Sequence, residues 1–357
     1  MSKNYPGIAA VCLIFFTAHA QPDLSVLYFG ASKSHNGGQI YDYQSGQMVP
    51  VTEEESAVYW MGHLAWAGGD SIAVDGQYGH DAALRELLPD VGGAWWGYPE
   101  MWDGQWEGSI EASGYNASII TEGSYYAGGG KTPEQTYPGI LRVANFVRNV
   151  DSGGIPDLPF YLYMHWPEAS SWGFDEYTDL QGEPSLMTQE EWIRFNEVCA
   201  GLSTARGYYK GWPAWWEDIQ DMVNEEIVTG PPVRLFPAGQ IVGRMFLELD
   251  FLSDVGPTDM LRDDAGHGTP SMYFLYGMLH YMALLRKKTP ADFELPETII
   301  PQIRTNYNAI AEFAWTELCA YHDASGRVWD SDVAVSSPGS APGRARASQT
   351  RYCGIPG

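Results

Sequence analysis

Cysteine is scarce in this chain: four in 357 residues, at positions 12, 199, 319 and 353. So few and so widely spaced, they make no disulfide framework, and the fold has to be held by a hydrophobic core. If one bridge forms, Cys199 with Cys319 is the expected pair. Positive charge is also short, with 20 Lys and Arg against 45 Asp and Glu and a formal charge of −25. Such a surface repels nucleic acid and anionic membranes, and it favours a neutral substrate. Past the first twenty residues no run is long and apolar enough to span a bilayer, so membrane insertion is not expected. Internal repeats, a phosphate-binding glycine loop and an acidic calcium loop are missing. So is His-Glu-x-x-His: His63, His80, His165 and His280 stand apart, which argues against a metal hydrolase, and no metal or cofactor is expected.

What is there begins with a leader. Lys3 precedes an apolar run, Ile8 to Phe16, and Ala18-His19-Ala20 supplies the small-x-small ending of a secretory signal peptide over residues 1–20. A secreted or periplasmic protein is expected, carrying −26 once Lys3 has left with the leader. Residues 21–335 suit one α/β domain, and 336–357, rich in Ser, Pro, Gly and Ala with Arg344, Arg346 and Arg351 against no acid, read as a disordered tail. The chain is unusually aromatic, with 14 Trp and 22 Tyr beside 40 Gly. Aromatic faces suit both protein cores and the apolar faces of sugar rings.

The strand formers Ser25 to Phe29 end abruptly in Gly30-Ala31-Ser32. This spacing predicts a buried first strand that delivers Ser32 to a strand's C-terminal end. There a hydroxyl is either a nucleophile or a helix N-cap. Glu53 to Trp66 predicts a helix with acids in its first turn, and Lys33 to Gly46 a polar loop before it. Further strands are expected at 71–74, 116–121, 160–164 and 233–237, and helices at 81–88, 132–150, 188–202, 215–227, 240–249 and 271–285. Strand and helix alternate throughout, so a parallel sheet with helices on both faces follows. Residues 90–109 have neither period. Trp95, Trp96, Trp102 and Trp106 lie there among Glu100, Asp103 and Glu107, as a binding loop or as tryptophans folded inward. Trp166, just past the 160–164 strand, is a further stacking candidate.

Near the end, Asp263-Asp264-Ala265-Gly266-His267 leads into Gly268-Thr269-Pro270 and a long apolar segment. Asp264 and His267, three apart on one loop, can place a carboxylate beside an imidazole N–H and leave the other ring nitrogen to accept a serine proton. With Gly-x-Ser after the first strand and Asp-x-x-His before the last long helix, the chain resembles the SGNH, or GDSL-type, hydrolase family, particularly its secreted bacterial members. The resemblance covers most of residues 23 to 292. It implies a flavodoxin-like three-layer α/β/α sandwich with a mainly parallel sheet, Ser32 as nucleophile, His267 as general base and then acid, and Asp264 orienting His267. Two positions depart from the family pattern: Ala31 stands where Asp commonly precedes the serine, and Thr121-Glu122-Gly123-Ser124 stands where Gly-x-Asn-Asp supplies an amide to the oxyanion. The hole then rests on the Ser32 backbone N–H and a glycine N–H, from Gly92, Gly93 or Gly97, with Thr121, Glu122 and His165 as supporting candidates.

The first functional expectation is an exported ester hydrolase acting on a small-molecule or polysaccharide ester, of acetyl type on a carbohydrate. A glycan-binding, non-catalytic relative on the same fold is the alternative. A glycosidase using two carboxylates from Glu100, Asp103, Glu107 or Glu122 is a third class. The oligomeric state is not legible in the sequence.

Overall fold

The computed structural model describes residues 22–30, 39–42, 47–50, 52–78, 110–121, 132–167, 184–203, 211–263 and 266–322. The leader, the expected helix at 81–88, the tryptophan-rich stretch 90–109 and the tail lie outside them. The strands are β1 (Leu24–Gly30), β2 (Gln39–Asp42), β3 (Gln47–Pro50), β4 (Ile72–Tyr78), β5 (Ala117–Ile120), β6 (Phe160–Tyr163) and β7 (Arg234–Phe236). The helices are α1 (Ala57–Ala67), α2 (Ile110–Ser113), α3 (Pro133–Arg148), α4 (Gln189–Ala200), α5 (Trp212–Glu226), α6 (Ala238–Glu248), α7 (Pro257–Met260), α8 (Pro270–Leu285), α9 (Pro301–Thr305) and α10 (Tyr307–Ala320).

Five strands form one sheet in the order β4-β1-β5-β6-β7, and every pairing is parallel. Counted along the chain, this is second, first, third, fourth, fifth, the flavodoxin-like order of a doubly wound sheet. β1 lies inside it with all seven residues buried, as a strand covered on both faces must be. The two faces can be told apart by their contacts. Tyr28 of β1 and Tyr163 of β6 meet His280 of α8, whereas Phe160, of opposite parity to Tyr163, lies under the Arg148 guanidinium at the end of α3. With α8 on one face and α3 on the other, the expected α/β/α sandwich is present.

Local sequence explains most helix starts. The Thr188 side chain and Glu191 form a capping box at α4, and Gln135 reaches back to the Thr132 N–H at α3, where Pro133 opens the helix. At α1 the acids lie outside the first turn. Ser56 is the cap, its hydroxyl accepting from the Tyr59 N–H at 3.3 Å, and Glu53 to Glu55 precede it. The loop expected from Lys33 to Gly46 also differs, for β2 and β3 pair antiparallel, Ile40 opposite Val49 and Tyr41 opposite Met48.

α8 is buried on every side from Ser271 to Leu284, and α1 crosses it at Gly277. A Cβ there would stand 2.4 Å from the Trp60 Cβ and 2.7 Å from the Ala57 carbonyl oxygen. On the sheet-facing side of α8, His280 is the polar centre of the packing against Tyr28, Tyr163 and Phe236. Its Nδ1 lies 2.7 Å from the Tyr276 carbonyl, which can only accept, so Nδ1 carries the proton and Nε2 accepts from the Tyr28 hydroxyl at 2.9 Å. Burial pushes the His280 pKa down to about 4.

The expected Cys199–Cys319 bridge is corrected. Cys199 is a free, buried thiol, while Cys319 is disulfide-bonded. The reason is packing: the Cys199 Cβ faces α6, 2.8 Å from where a Cβ on Gly243 would stand. Burial raises its thiol pKa far above the ordinary value.

Candidate functional site

In an open parallel sheet ligands bind beyond the strands' C-terminal ends, where the strand order reverses. Here that crevice lies beyond β1 and β5, which are neighbours although β4 separates them in sequence. Three strand ends are tied together at this edge. Thr121, immediately after β5, donates its N–H to the Phe29 carbonyl of β1 at 2.9 Å and its hydroxyl to the Tyr163 carbonyl of β6 at 3.0 Å. The sequence runs from β1 directly into Gly30-Ala31-Ser32.

The loop between α7 and α8 brings His267 to the same edge. It is a narrow hairpin: Leu261 bridges Gly268, the Arg262 N–H donates to the His267 carbonyl at 2.8 Å, and the Gly266 N–H to the Asp263 carbonyl at 3.0 Å. Gly266 sits at φ +72°, a conformation that favours glycine. Its carbonyl accepts from the Trp166 indole N–H at 2.7 Å. Trp166 lies three residues past β6, so this bond fastens the hairpin to the C-terminal edge of the sheet.

Within the hairpin one carboxylate holds His267 twice. Asp263 Oδ1 accepts from the His267 backbone N–H at 2.9 Å, and Asp263 Oδ2 lies 2.5 Å from Nδ1. A carboxylate beside Nδ1 favours the tautomer protonated there and leaves Nε2 as the acceptor nitrogen. The Asp263 side chain is 7% exposed and that of His267 19%, so the carboxylate is shielded while the ring keeps access to solvent. The group on Nδ1 therefore stands four residues before the histidine, one earlier than the Asp264 spacing implied. Asp264 itself lies outside the described residues.

The other expected site residues divide in the same way. Ser32, Gly92, Gly93, Gly97, Trp95, Trp96, Trp102 and Glu122 lie outside the described residues. Thr121 is wholly buried at the strand ends. His165 is 1% exposed, its Nδ1 against the Trp166 carbonyl and its ring among Tyr163, Trp212 and Trp216. Its own carbonyl accepts from the Trp212 indole at 2.8 Å. These contacts make His165 part of the packing beneath the sheet edge. Trp166 is corrected as a stacking surface: it is fully buried, with Tyr276 at 4.5 Å between ring centroids, and it acts as the fastener of the His267 hairpin.

Sequence reasoning missed Asp263, although the doublet Asp263-Asp264 offered both. The signal that could have shown it is the glycine one residue before the histidine, Gly266 at φ +72°, on the turn across which Asp263 reaches Nδ1. Among the described residues no three His, Cys, Asp or Glu side chains come together to hold a metal ion, and no described helix is long and apolar enough to cross a membrane.

No family model matches this chain, and no curated protein does. Two solved structures are similar. One is a DUF4886 family protein from Bacteroides uniformis ATCC 8492, 12% identical, with a TM-score of 0.45 over 85% of this chain and 98% of that one. The other is Est24, a carbohydrate acetylesterase from Sinorhizobium meliloti, 16% identical, with a TM-score of 0.37 over 73% of this chain and 99% of that one. At such scores neither assigns an activity, and the fold stands on the strand order itself.

Proposed function

We propose that this chain is an exported serine ester hydrolase that removes acetyl-type groups from a carbohydrate or another neutral ester. The observation that carries the reading is the Asp263–His267 pair, fastened through Trp166 to the sheet edge at which β1 runs into Gly30-Ala31-Ser32. A base with a fixed tautomer beside the crevice of a doubly wound sheet suits proton transfer from a nucleophile on the first strand. The SGNH resemblance gives the same roles to Ser32 and His267.

In this mechanism the Ser32 hydroxyl attacks the acyl carbonyl while His267 Nε2 takes its proton. Asp263 holds the Nδ1–H and stabilises the imidazolium that forms. The tetrahedral oxyanion is met by the Ser32 N–H and a glycine N–H from Gly93 or Gly97. His267 then protonates the leaving alkoxide, the acyl group remains on Ser32, and water attacks with the same histidine as base. Trp95, Trp96 and Trp102 supply stacking faces for a sugar alcohol, whose neutrality suits a chain of net charge −25.

Incubation of the full-length mature protein with a fluorophosphonate, followed by mass spectrometry, tests this. An adduct on Ser32 is expected, with aryl acetate hydrolysis abolished in Ser32→Ala. A folded protein that takes no adduct and cleaves no ester would overturn the reading in favour of glycan binding without catalysis.

A further inference from the structure

Outside the site, a fully buried carboxylate calls for an explanation. Glu55 stands one residue before the Ser56 cap of α1 and is 0% exposed. Among the described residues, the Arg262 guanidinium is its counter-charge, in contact with Oε1, and no other donor reaches either carboxylate oxygen. A carboxylate in a dry interior is costly unless it is paired, and even a paired one is seldom more stable than two well-packed apolar side chains. Stability alone therefore does not account for the charges. Their direction does: an ion pair fixes where its partners point, which apolar contact does not.

Arg262 is the residue through which that direction reaches His267. Its backbone N–H closes the hairpin on the His267 carbonyl at 2.8 Å, and the next residue is Asp263. Its side chain crosses to the N-terminal end of α1, where the Glu54 carbonyl accepts from the Trp60 indole at 2.7 Å. Trp60 in turn is locked against α8 at Gly277. The hairpin is thus held at three places: by Trp166 at its tip, by Thr269 at the start of α8, whose hydroxyl donates to the Asp259 carbonyl at 2.8 Å, and by Arg262 on Glu55.

We infer that Glu55 and Arg262 are a positioning pair for His267, setting the placement of the imidazole while touching neither substrate nor reacting atoms. The inference rests on the reading of His267 as the catalytic base. A base displaced by about 1 Å can cost on the order of 10²-fold in rate, so removing the brace weakens catalysis without removing any reacting group.

The test uses the full-length mature protein as wild type, as the conservative variant Glu55→Asp, and as the double variant Glu55→Met with Arg262→Met, which replaces the ion pair by an apolar contact, with Asp263→Asn as the control for assignment. Thermal unfolding reports the fold. The proton between His267 Nδ1 and Asp263, 2.5 Å apart, is expected as a downfield NMR signal in wild type, assigned by its loss in Asp263→Asn. The double variant should unfold near the wild-type temperature yet lose or broaden that signal, with kcat on an aryl acetate reduced by about 10- to 100-fold and KM nearly unchanged. Glu55→Asp, which keeps a carboxylate opposite an intact Arg262, should retain the signal. A folded double variant that keeps both the signal and kcat overturns the proposal. Failure of both variants to fold overturns it as well, assigning the pair to stability. Absence of esterase activity in wild type counts against the hydrolase reading instead, and the NMR comparison still decides whether the pair positions His267.

Discussion

Asp263 grips His267 at two points, its Oδ1 on the backbone N–H at 2.9 Å and its Oδ2 against Nδ1 at 2.5 Å. One bond sets where the residue stands and the other sets which ring nitrogen is protonated. An amide in place of the carboxylate could still accept one bond, but it would no longer favour the productive tautomer or stabilise the imidazolium.

Asp263→Asn is accordingly expected to lower kcat by about 10³- to 10⁴-fold, with KM little changed and the fold intact. Asp264→Asn should cost no more than a few-fold. Steady-state kinetics on an aryl acetate would compare them, and the opposite ranking would return the orienting role to Asp264.

Folding stability should carry a pH dependence from His280. Burial holds its pKa at about 4, against 6.5 for the exposed group. The unfolded chain therefore takes up the proton first as pH falls. The stabilisation is present in full above about pH 6.5 and is lost progressively down to about pH 4, by roughly 3 kcal/mol in all. Urea unfolding at several pH values should show this slope in wild type and its loss in His280→Gln. The same slope in both would place its origin in other groups.

Gly277→Ala should push α1 from α8, because the added Cβ meets the backbone of α1 as well as Trp60. A cost of about 1 to 3 kcal/mol is expected, read as a lower melting temperature. An unchanged melting point would mean that the two helices can separate freely at this crossing.

The frame of this protein was legible because its strands are continuous apolar runs and its helices carry local start signals. Leu24 to Gly30 could be little else than a buried strand, and Thr188 with Glu191 announces α4. α9 and α10 were overlooked. The buried positions of α10, Tyr307, Ile310, Ala311, Ala314 and Leu318, do follow helical spacing, but alanines make a faint apolar stripe. At the candidate site, the carboxylate on His267 Nδ1 is Asp263, which the spacing passed over, because side-chain reach across a tight turn depends on the φ of Gly266, which no spacing rule contains. Trp166 misled for a different reason. An indole just past a strand end has the chemistry of a sugar platform, and only tertiary contact shows that its N–H is engaged by Gly266. Glu55 and Arg262, more than two hundred residues apart, had no local signature at all.

The Tyr28–His280 bond joins residues 252 positions apart, and this bears on the order in which the molecule can be assembled. β1 is made first and lies inside the sheet, yet its partners β4, β5 and α8 all come later in synthesis. Until α8 has emerged, the Tyr28 hydroxyl lacks its bond to His280 and the face of the strand that α8 covers stays open. Closing so long a loop must precede the contacts that reward it, so native assembly of β1 waits for nearly the whole chain and is slow by topology alone. A nascent chain stopped before α8 exposes an unshielded apolar strand, the form in which this protein is most open to aggregation or capture by a chaperone.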